Sequence, residues 1–105
     1  MIKIRFLTIA EMEVDEAVSW YQEQSEDESL AFLNELDHAI RIVRAYPLIA
    51  TEIEPDIHSF CLRRFPYSLI YGINNDELVV IAIAHHRRAP HYWADRCAVI
   101  FVSIG

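Results

Sequence analysis

Residues 67–84 read YSLIYGINNDELVVIAIA, and this stretch decides the fold. Its first half is rich in aromatic and branched residues, and its second half, from Leu78 to Ala84, is almost wholly apolar. The polar triplet Asn74-Asn75-Asp76 separates them, and asparagine and aspartate favour tight turns. A continuous apolar run is typical of a strand that is buried on both faces. The sequence therefore predicts a β-hairpin whose second strand lies inside a sheet.

Two amphipathic helices are predicted before this hairpin. Apolar residues recur at helical spacing at Val14, Ala17, Val18 and Tyr21, and again at Phe32, Leu33, Leu36, Ile40 and Val43. Thr8 with Glu11 and Ser25 with Glu28 have the spacing of capping boxes, so we expect a helix to begin at each. Tyr46-Pro47 ends the second helix, because proline disfavours helical geometry in the residue before it.

Strands are predicted on both sides of the helices. Ile2, Ile4 and Phe6 alternate with Lys3 and Arg5, the period of a half-buried strand. A period of two is also assigned to residues 60–65, in which Phe60, Leu62 and Arg64 alternate with Cys61, Arg63 and Phe65, and a further strand is expected near Ile49–Ile53. The order is β-α-α-β-β-β, an α+β fold in which an N-terminal strand and an antiparallel helical hairpin pack on a small, mainly antiparallel sheet. With 105 residues there is no length for a second domain, so we expect residues 1–105 to form one domain.

The net charge of −7 is unevenly distributed along the chain. Residues 1–57 carry 13 acidic and 4 basic side chains, whereas residues 58–105 carry 3 acidic and 5 basic side chains. The second half therefore suits an anionic partner, while the whole molecule is repelled by nucleic acid at long range. We expect no tight binding of free RNA or DNA.

Cysteine usage and hydropathy bear on the compartment. Cys61 and Cys97 form neither a metal-binding spacing nor a disulfide framework, so they are predicted to be buried, reduced thiols in a cytoplasmic protein. The chain has no apolar run near the roughly 20 residues that span a membrane, and its first residues do not resemble a signal peptide. Neither a metal nor another cofactor is expected.

Two motifs resemble the ParE branch of the ParE/RelE toxin superfamily, often described as plasmid-stabilisation toxins. They are LRRFPYSLIY, residues 62–71, and HHRRAPHYWADR, residues 85–96. They contain an Arg-x-Phe-Pro-Tyr strand and a His-x-Arg-x-Pro-x-Tyr-Trp segment, and the resemblance extends over residues 2–96. The apolar tail, residues 97–105, lies outside it and would be a further strand, a contact for a homo-oligomer, or a docking edge.

The resemblance implies the toxin component of a type II toxin–antitoxin system, neutralised by a cognate antitoxin and acting on DNA gyrase and replication. One alternative is a ribosome-dependent mRNA endoribonuclease of the RelE type. A second alternative is an inactive relative that is retained for partner binding.

Each alternative assigns its own site residues. A nuclease would use His85, His86, Arg64, Arg88 and Tyr92, because imidazoles titrate near neutral pH, guanidinium groups bind phosphate, and aromatic rings stack on bases. A binding toxin would contact its target through Arg63, Arg87, Trp93 and Arg96. We favour the binding toxin, because the resemblance to ParE implies that the full catalytic set of RelE is lacking, and because Asp95 is the only carboxylate expected near this basic cluster. The acidic residues between Glu11 and Glu16 are predicted to form a solvated helix face, and Tyr92 and Trp93 also suit packing of the chain end onto the sheet.

Overall fold

The structure, a computed structural model, describes residues 1–102 and the side chains of residues 1–98. Its elements are β1 (Lys3–Phe6), α1 (Thr8–Gln24), α2 (Glu26–Ala45), β2 (Thr51–Glu54), β3 (Ile57–Cys61), β4 (Tyr67–Asn74), β5 (Glu77–His85) and α3 (Ala94–Val102). The predicted α+β fold is confirmed, with its initial strand, helical hairpin and mainly antiparallel sheet. Strand β2 overlaps the strand predicted near Ile49–Ile53, and α3 is an element that the predicted order lacks.

The five strands form one sheet in the order β1-β5-β4-β3-β2. Strand β1 runs parallel to β5, and the other neighbours are antiparallel. The β4–β5 hairpin turns through Asn75 and Asp76, and Asn75 has a φ of 57°, a left-handed conformation that asparagine tolerates. Strand β5 lies between two partners, and its residues from Val79 to Ala82 are fully buried. This position accounts for its continuous apolar sequence.

Different layers cover the two faces of the sheet. The helical hairpin covers one face, and the core beneath it includes Ala17, Phe32, Leu36, Leu69 and Tyr71. The segment that leads into α3 covers part of the other face, where the buried cluster includes Ile57, Ile70, Ile81 and Trp93. Among the described helices, none is both long and apolar enough to cross a membrane.

A β-bulge in β5 changes which side chains face the helices. After the pairing of Ile70 with Ala82 the register shifts, which leaves Ile81 as an extra residue. Ile81 and Ala82 consequently both pack on the α3 side, and from there the alternation is inverted, so that Ile83 packs under the helical hairpin. The bulge therefore decides which face each side chain takes at the carboxyl end of β5, where the two predicted catalytic histidines lie.

Only one of the two predicted helix caps is present. The Ser25 side chain accepts the Glu28 N–H at 3.0 Å and caps α2, as predicted. The cap predicted at Thr8 is wrong, because α1 begins after Leu7, whose side chain makes no capping bond. Thr8 is already the first helical residue, one position too far along the chain to cap α1.

The strand predicted over residues 60–65 is wrong beyond Cys61, where β3 ends. The Leu62 N–H donates to the Tyr67 carbonyl at 2.9 Å and closes a short loop. Leu62 and Phe65 are both buried, and they hold this loop against the core. A strand with a period of two would place these two residues on opposite faces, whereas the loop lets both pack into the same core cluster.

The prediction of two buried cysteines is also wrong, since Cys61 is exposed and Cys97 is partly exposed. In the apolar tail, the backbone of residues 97–102 continues α3, so the interpretation as a further strand is wrong there. Residues 103–105 lie outside the described residues, and so do the side chains of residues 99–102 on which an oligomer contact would depend.

Replacing Ser25 with alanine is expected to lower the free energy of unfolding by about 1 kcal/mol, because the Glu28 N–H loses its acceptor. Thr8→Ala is the matched control and should change stability by less than about 0.5 kcal/mol, because that hydroxyl caps no helix. Urea unfolding followed by circular dichroism measures both variants. Equal losses would contradict the caps described above.

Candidate functional site

The segment after β5 covers the sheet face opposite the helical hairpin and leaves a cleft of about 180 Å³. Its walls come from β3, β4 and residues 84–93. Five of the predicted site residues line this cleft, namely His85, His86, Arg88, Tyr92 and Trp93. The other four lie elsewhere, namely Arg63, Arg64, Arg87 and Arg96. The predicted set is therefore brought together only in part.

His86, the residue after β5, belongs to a polar row that runs across β3 and β4 on the cleft side of the sheet. Its Nε2 atom is 3.0 Å from the Ser68 Oγ atom, and that oxygen is 3.4 Å from the Cys61 Sγ atom. Ser68 is buried, and a buried hydroxyl needs hydrogen-bond partners. The row satisfies this hydroxyl and holds the His86 ring against the sheet.

His85 borders the cleft, but its ring is directed to the opposite face of the sheet. Its ring stands edge-on to that of Tyr67, with 4.9 Å between centroids, and its Nδ1 atom accepts the Arg87 N–H at 3.0 Å. Burial, and to a smaller degree the charges of Arg87 and His86, lower the pKa of His85 below its ordinary value of 6.5. The ring is therefore neutral at neutral pH, with its proton on Nε2. His85 and His86 do not converge on one point as an acid–base pair would.

Glu13 is a site residue that was not predicted: the expectation of a solvated helix face is wrong for it, since its exposure is 8%. Its Oε1 atom accepts the Ile83 N–H at 3.1 Å and an Arg96 N–H at 2.9 Å. Its Oε2 atom accepts the Tyr92 O–H at 2.7 Å and a second Arg96 N–H at 3.1 Å. The prediction that Asp95 is the only carboxylate near the basic cluster is thus wrong as well. A buried carboxylate is tolerated because donors of this kind replace its lost hydration.

The helical phase of Glu13 is the signal that reveals it. Glu13 lies three residues after Ala10 and four before Ala17, and both alanines are buried in the core. An acidic residue within the apolar stripe of a helix indicates a buried pair more than a solvated charge. Its partner Arg96 lies 83 residues further along the chain, so the pairing itself is not visible in the local sequence.

Glu13 and Arg96 complete the hydrogen bonding of β5 where β1 has ended. Leu7, the residue after β1, still donates its N–H to the Val80 carbonyl at 3.0 Å. Beyond it, the Ile81 carbonyl accepts an Arg96 N–H at 3.1 Å, and the Ile83 N–H donates to Glu13. Two charged side chains thereby serve the backbone groups that a longer β1 would have paired.

Tyr92 is enclosed by the same network. The Arg88 guanidinium lies 3.9 Å from the centroid of the Tyr92 ring, and its Nη1 atom is 3.9 Å from the Glu13 Oε2 atom. The Arg96 guanidinium is 5.1 Å from the same ring centroid. Burial, followed by the bond to Glu13, strongly raises the pKa of Tyr92, so its hydroxyl remains a proton donor at neutral pH. Its ring is already stacked with a cation.

Arg63 and Arg64 lie on the loop between β3 and β4. The Glu35 carboxylate on α2 accepts the backbone N–H groups of both residues and fixes the loop. The His86 N–H donates to the Pro66 carbonyl at 2.8 Å, which joins this loop to the segment that carries Arg87. Among residues 1–98, no carboxylate lies within 4 Å of the guanidinium groups of Arg63, Arg64 or Arg87. We call these three exposed residues the arginine end of the molecule.

Trp93 and His91 close the far wall of the cleft. Trp93 is 3% exposed and packs in the core cluster under α3, which leaves little of its surface for a target. The His91 ring stands edge-on to the indole at 5.3 Å, and His91 has a φ of 61°, unusual for a residue with a side chain. In the part of the chain that the structure describes, no group of three His, Cys, Asp or Glu side chains is placed to hold a metal ion.

Comparison with known proteins gives three findings. The family model of the ParE toxin of the type II toxin-antitoxin system, parDE, matches residues 4–90. Among solved structures, the chain is similar to one of the chromosomal ParDE TA system from P. aeruginosa, with a TM-score of 0.70 and 13% identity, over 81% of this chain and 96% of that one. No curated protein sequence matches. At this identity the structural likeness shows the fold alone, and Tyr92, Trp93 and Arg96 lie beyond the range of the family model.

Replacing Glu13 with alanine is expected to lower the free energy of unfolding by about 3 kcal/mol, because it leaves the Arg96 charge without a carboxylate and the Ile83 N–H without an acceptor. Glu13→Gln should cost less, because an amide oxygen still accepts one of these bonds. Asp15→Ala, at an exposed position of the same helix, is the control and should stay within about 0.5 kcal/mol. Urea midpoints at constant slope measure the difference. If Glu13→Ala lowers the free energy of unfolding no more than Asp15→Ala does, the network of Glu13 does not stabilise the fold.

The lowered pKa of His85 predicts that stability falls as the pH drops below about 6.5. The unfolded chain binds a proton there more readily than the folded chain, so the contribution of His85 is complete above 6.5 and is lost on acidification through the lowered pKa. In His85→Asn the amide oxygen still accepts the Arg87 N–H but does not titrate. Unfolding free energies measured between pH 7.5 and 5.0 should therefore fall less steeply in the variant. Parallel curves would contradict the assignment.

Proposed function

The chain belongs to the ParE toxin family of type II toxin–antitoxin systems, and we propose that this toxin inhibits DNA gyrase by binding to it. The gyrase target is what the resemblance to ParE toxins implies. The proposal adds that the toxin acts by docking, without cutting RNA. The arginine end carries the contact.

The Glu13 network is the observation that supports docking over RNA cleavage. Cleavage through a 2′-hydroxyl needs a base, an acid and cations that are free to neutralise the developing phosphorane charge. Glu13 binds the cation of Arg96 and the hydroxyl of Tyr92, and Arg88 stacks on the Tyr92 ring. Three of the groups that a nuclease or target site would draw on therefore hold the protein together.

The remaining exposed cations suit a macromolecular surface. Arg63, Arg64 and Arg87 project from two loops that the bond between His86 and Pro66 holds together. Their loops are fixed by Glu35 and by the end of β5, so little ordering is required on contact. The net charge of −7 opposes capture by free nucleic acid at long range. A local basic patch on an acidic molecule favours an acidic protein surface at short range.

A toxin of this family is paired with an antitoxin. We expect the antitoxin to be encoded in a neighbouring reading frame and to relieve growth arrest when it is co-expressed. Expression of the toxin without any growth arrest would instead favour an inactive relative retained for partner binding.

A gyrase supercoiling assay tests the target. The purified protein should inhibit supercoiling at micromolar concentrations. The double variant Arg63→Glu with Arg87→Glu should raise the half-inhibitory concentration about tenfold or more, because it reverses the charge of the arginine end. The control is Lys3→Glu with Arg41→Glu, which makes the same change in net charge at exposed cations elsewhere and should leave inhibition unchanged.

Transcripts from cells that express the toxin supply the second measurement. Primer extension should reveal no new 5′ ends. New ends that depend on His86 or Arg64 would overturn the docking proposal in favour of an endoribonuclease. Folded protein that leaves supercoiling untouched would overturn the gyrase target.

A further inference from the structure

Helix α1 presents an apolar stripe to solvent on the side away from the core. Ile9, Met12 and Trp20 are 45%, 55% and 58% exposed. At 100° per residue these three positions fall within about 80° of one another on the helix, together with Glu16 and Glu23. We call this set of five residues the outer face of α1. Isolated apolar side chains are ordinary on a surface, but an aligned stripe that includes tryptophan is typical of a binding surface.

The charge of this region is entirely of one sign. Residues 8–34 contain eight acidic side chains and no lysine, arginine or histidine. Glu13 is neutralised by Arg96, but among residues 1–98 no basic group lies within 4 Å of Glu16 or Glu23. Trp20 lies in a shallow cleft whose other walls are Asp15, Glu16, Ser19 and Glu23. An apolar surface bordered by uncompensated acids favours a partner that is both apolar and basic.

The shape of the face indicates the form of that partner. Ile9 and Trp20 are 11 residues apart, which is about 17 Å along a helix. A second helix laid against α1 would place apolar residues at intervals of three and four positions beside this stripe, with its basic residues next to the carboxylates. A symmetric contact with a second copy of the chain would bring the same acids together and is disfavoured by charge.

We propose that the outer face of α1 docks a helical segment of the antitoxin that carries an apolar stripe flanked by lysine and arginine. This inference rests on the pairing of the toxin with an antitoxin and does not depend on the gyrase target. The antitoxin segment thereby binds a surface separate from the arginine end and opposite to it in charge.

Synthetic helices of 18 residues test the surface directly. One peptide has leucine in one stripe and lysine elsewhere, a second has glutamate in place of lysine, and a third has serine in place of leucine. Fluorescence anisotropy of labelled peptides measures their binding to the intact chain. The leucine–lysine peptide should bind at micromolar concentration and more weakly at high salt. The other two should bind about tenfold more weakly or worse, because the glutamate peptide is repelled by the acidic face and the serine peptide lacks the apolar stripe.

Matched variants locate the contact. Glu16→Lys and Trp20→Ala should each weaken the leucine–lysine peptide by about tenfold. Asp76→Lys, in the exposed β4–β5 turn, makes the same change in net charge as Glu16→Lys and should alter binding by less than about twofold. Circular dichroism verifies that each variant is folded.

Two outcomes would overturn the proposal. One is equal binding of the peptide to Glu16→Lys and Asp76→Lys, which would mean that the net charge of the protein, and not the outer face of α1, attracts the peptide. The other is a dimer in light scattering that Trp20→Ala dissociates, which would assign the face to a second copy. Because no gyrase is present in these assays, a negative result in them does not bear on the gyrase target. A negative result in the supercoiling assay likewise does not bear on the outer face of α1.

Discussion

The carboxylate of Glu13 occupies the place that a longer first strand would take beside β5. Strand β1 ends at Phe6, so without Glu13 and Arg96 the Ile81 carbonyl and the Ile83 N–H would have no strand partner. An unpaired buried backbone group costs about 1–3 kcal/mol, which is a large fraction of the stability of a small domain. Glu13 supplies the acceptor, Arg96 supplies the donor, and each neutralises the charge that the other brings into the core.

The Glu13 network also holds the segment that contains Tyr92 and Arg96 against the rest of the domain. Tyr92 and Arg96 follow the last residue of the family match, and they reach back to a helix near the amino terminus. Once they are held by Glu13, Trp93 seals the sheet under α3, and the ring of Tyr92 is covered by Arg88. The basic residues of this segment therefore divide into two classes. Arg96 is buried in the Glu13 network and the half-exposed Arg88 stacks on Tyr92, whereas Arg87 lies in solvent with Arg63 and Arg64.

A feature of the fold or the site can be predicted from the sequence when residues close together in the chain determine it. The hairpin over residues 67–84 and the helical stripes follow from periodicities of two and 3.6, which neighbouring residues alone determine. The orientation of His85 and His86 does not follow from these periodicities. Every residue from Leu78 to Ala84 is apolar, so the sequence does not show where the alternation is interrupted by the bulge. The loop at residues 62–65 was predicted as a strand because it continues β3 directly, and the hydrogen bond from the Leu62 N–H to the Tyr67 carbonyl that closes it is not visible in the sequence. The partner of Glu13 is distant in sequence, so the local sequence indicates only that Glu13 is buried, through its position in the apolar stripe of α1.

The pairing of Glu13 with Arg96 has a consequence for recognition, because it removes one acid from α1 and one cation from the segment after β5. The charges left in solvent are then segregated, with Glu16 and Glu23 on the outer face of α1 and arginines on the loops at the end of the sheet. A partner selected by the first surface has the wrong charge for the second. In the proposed scheme the antitoxin therefore does not need to imitate the target in order to hold the toxin. Binding to one surface and action through the other can then be changed independently by mutation.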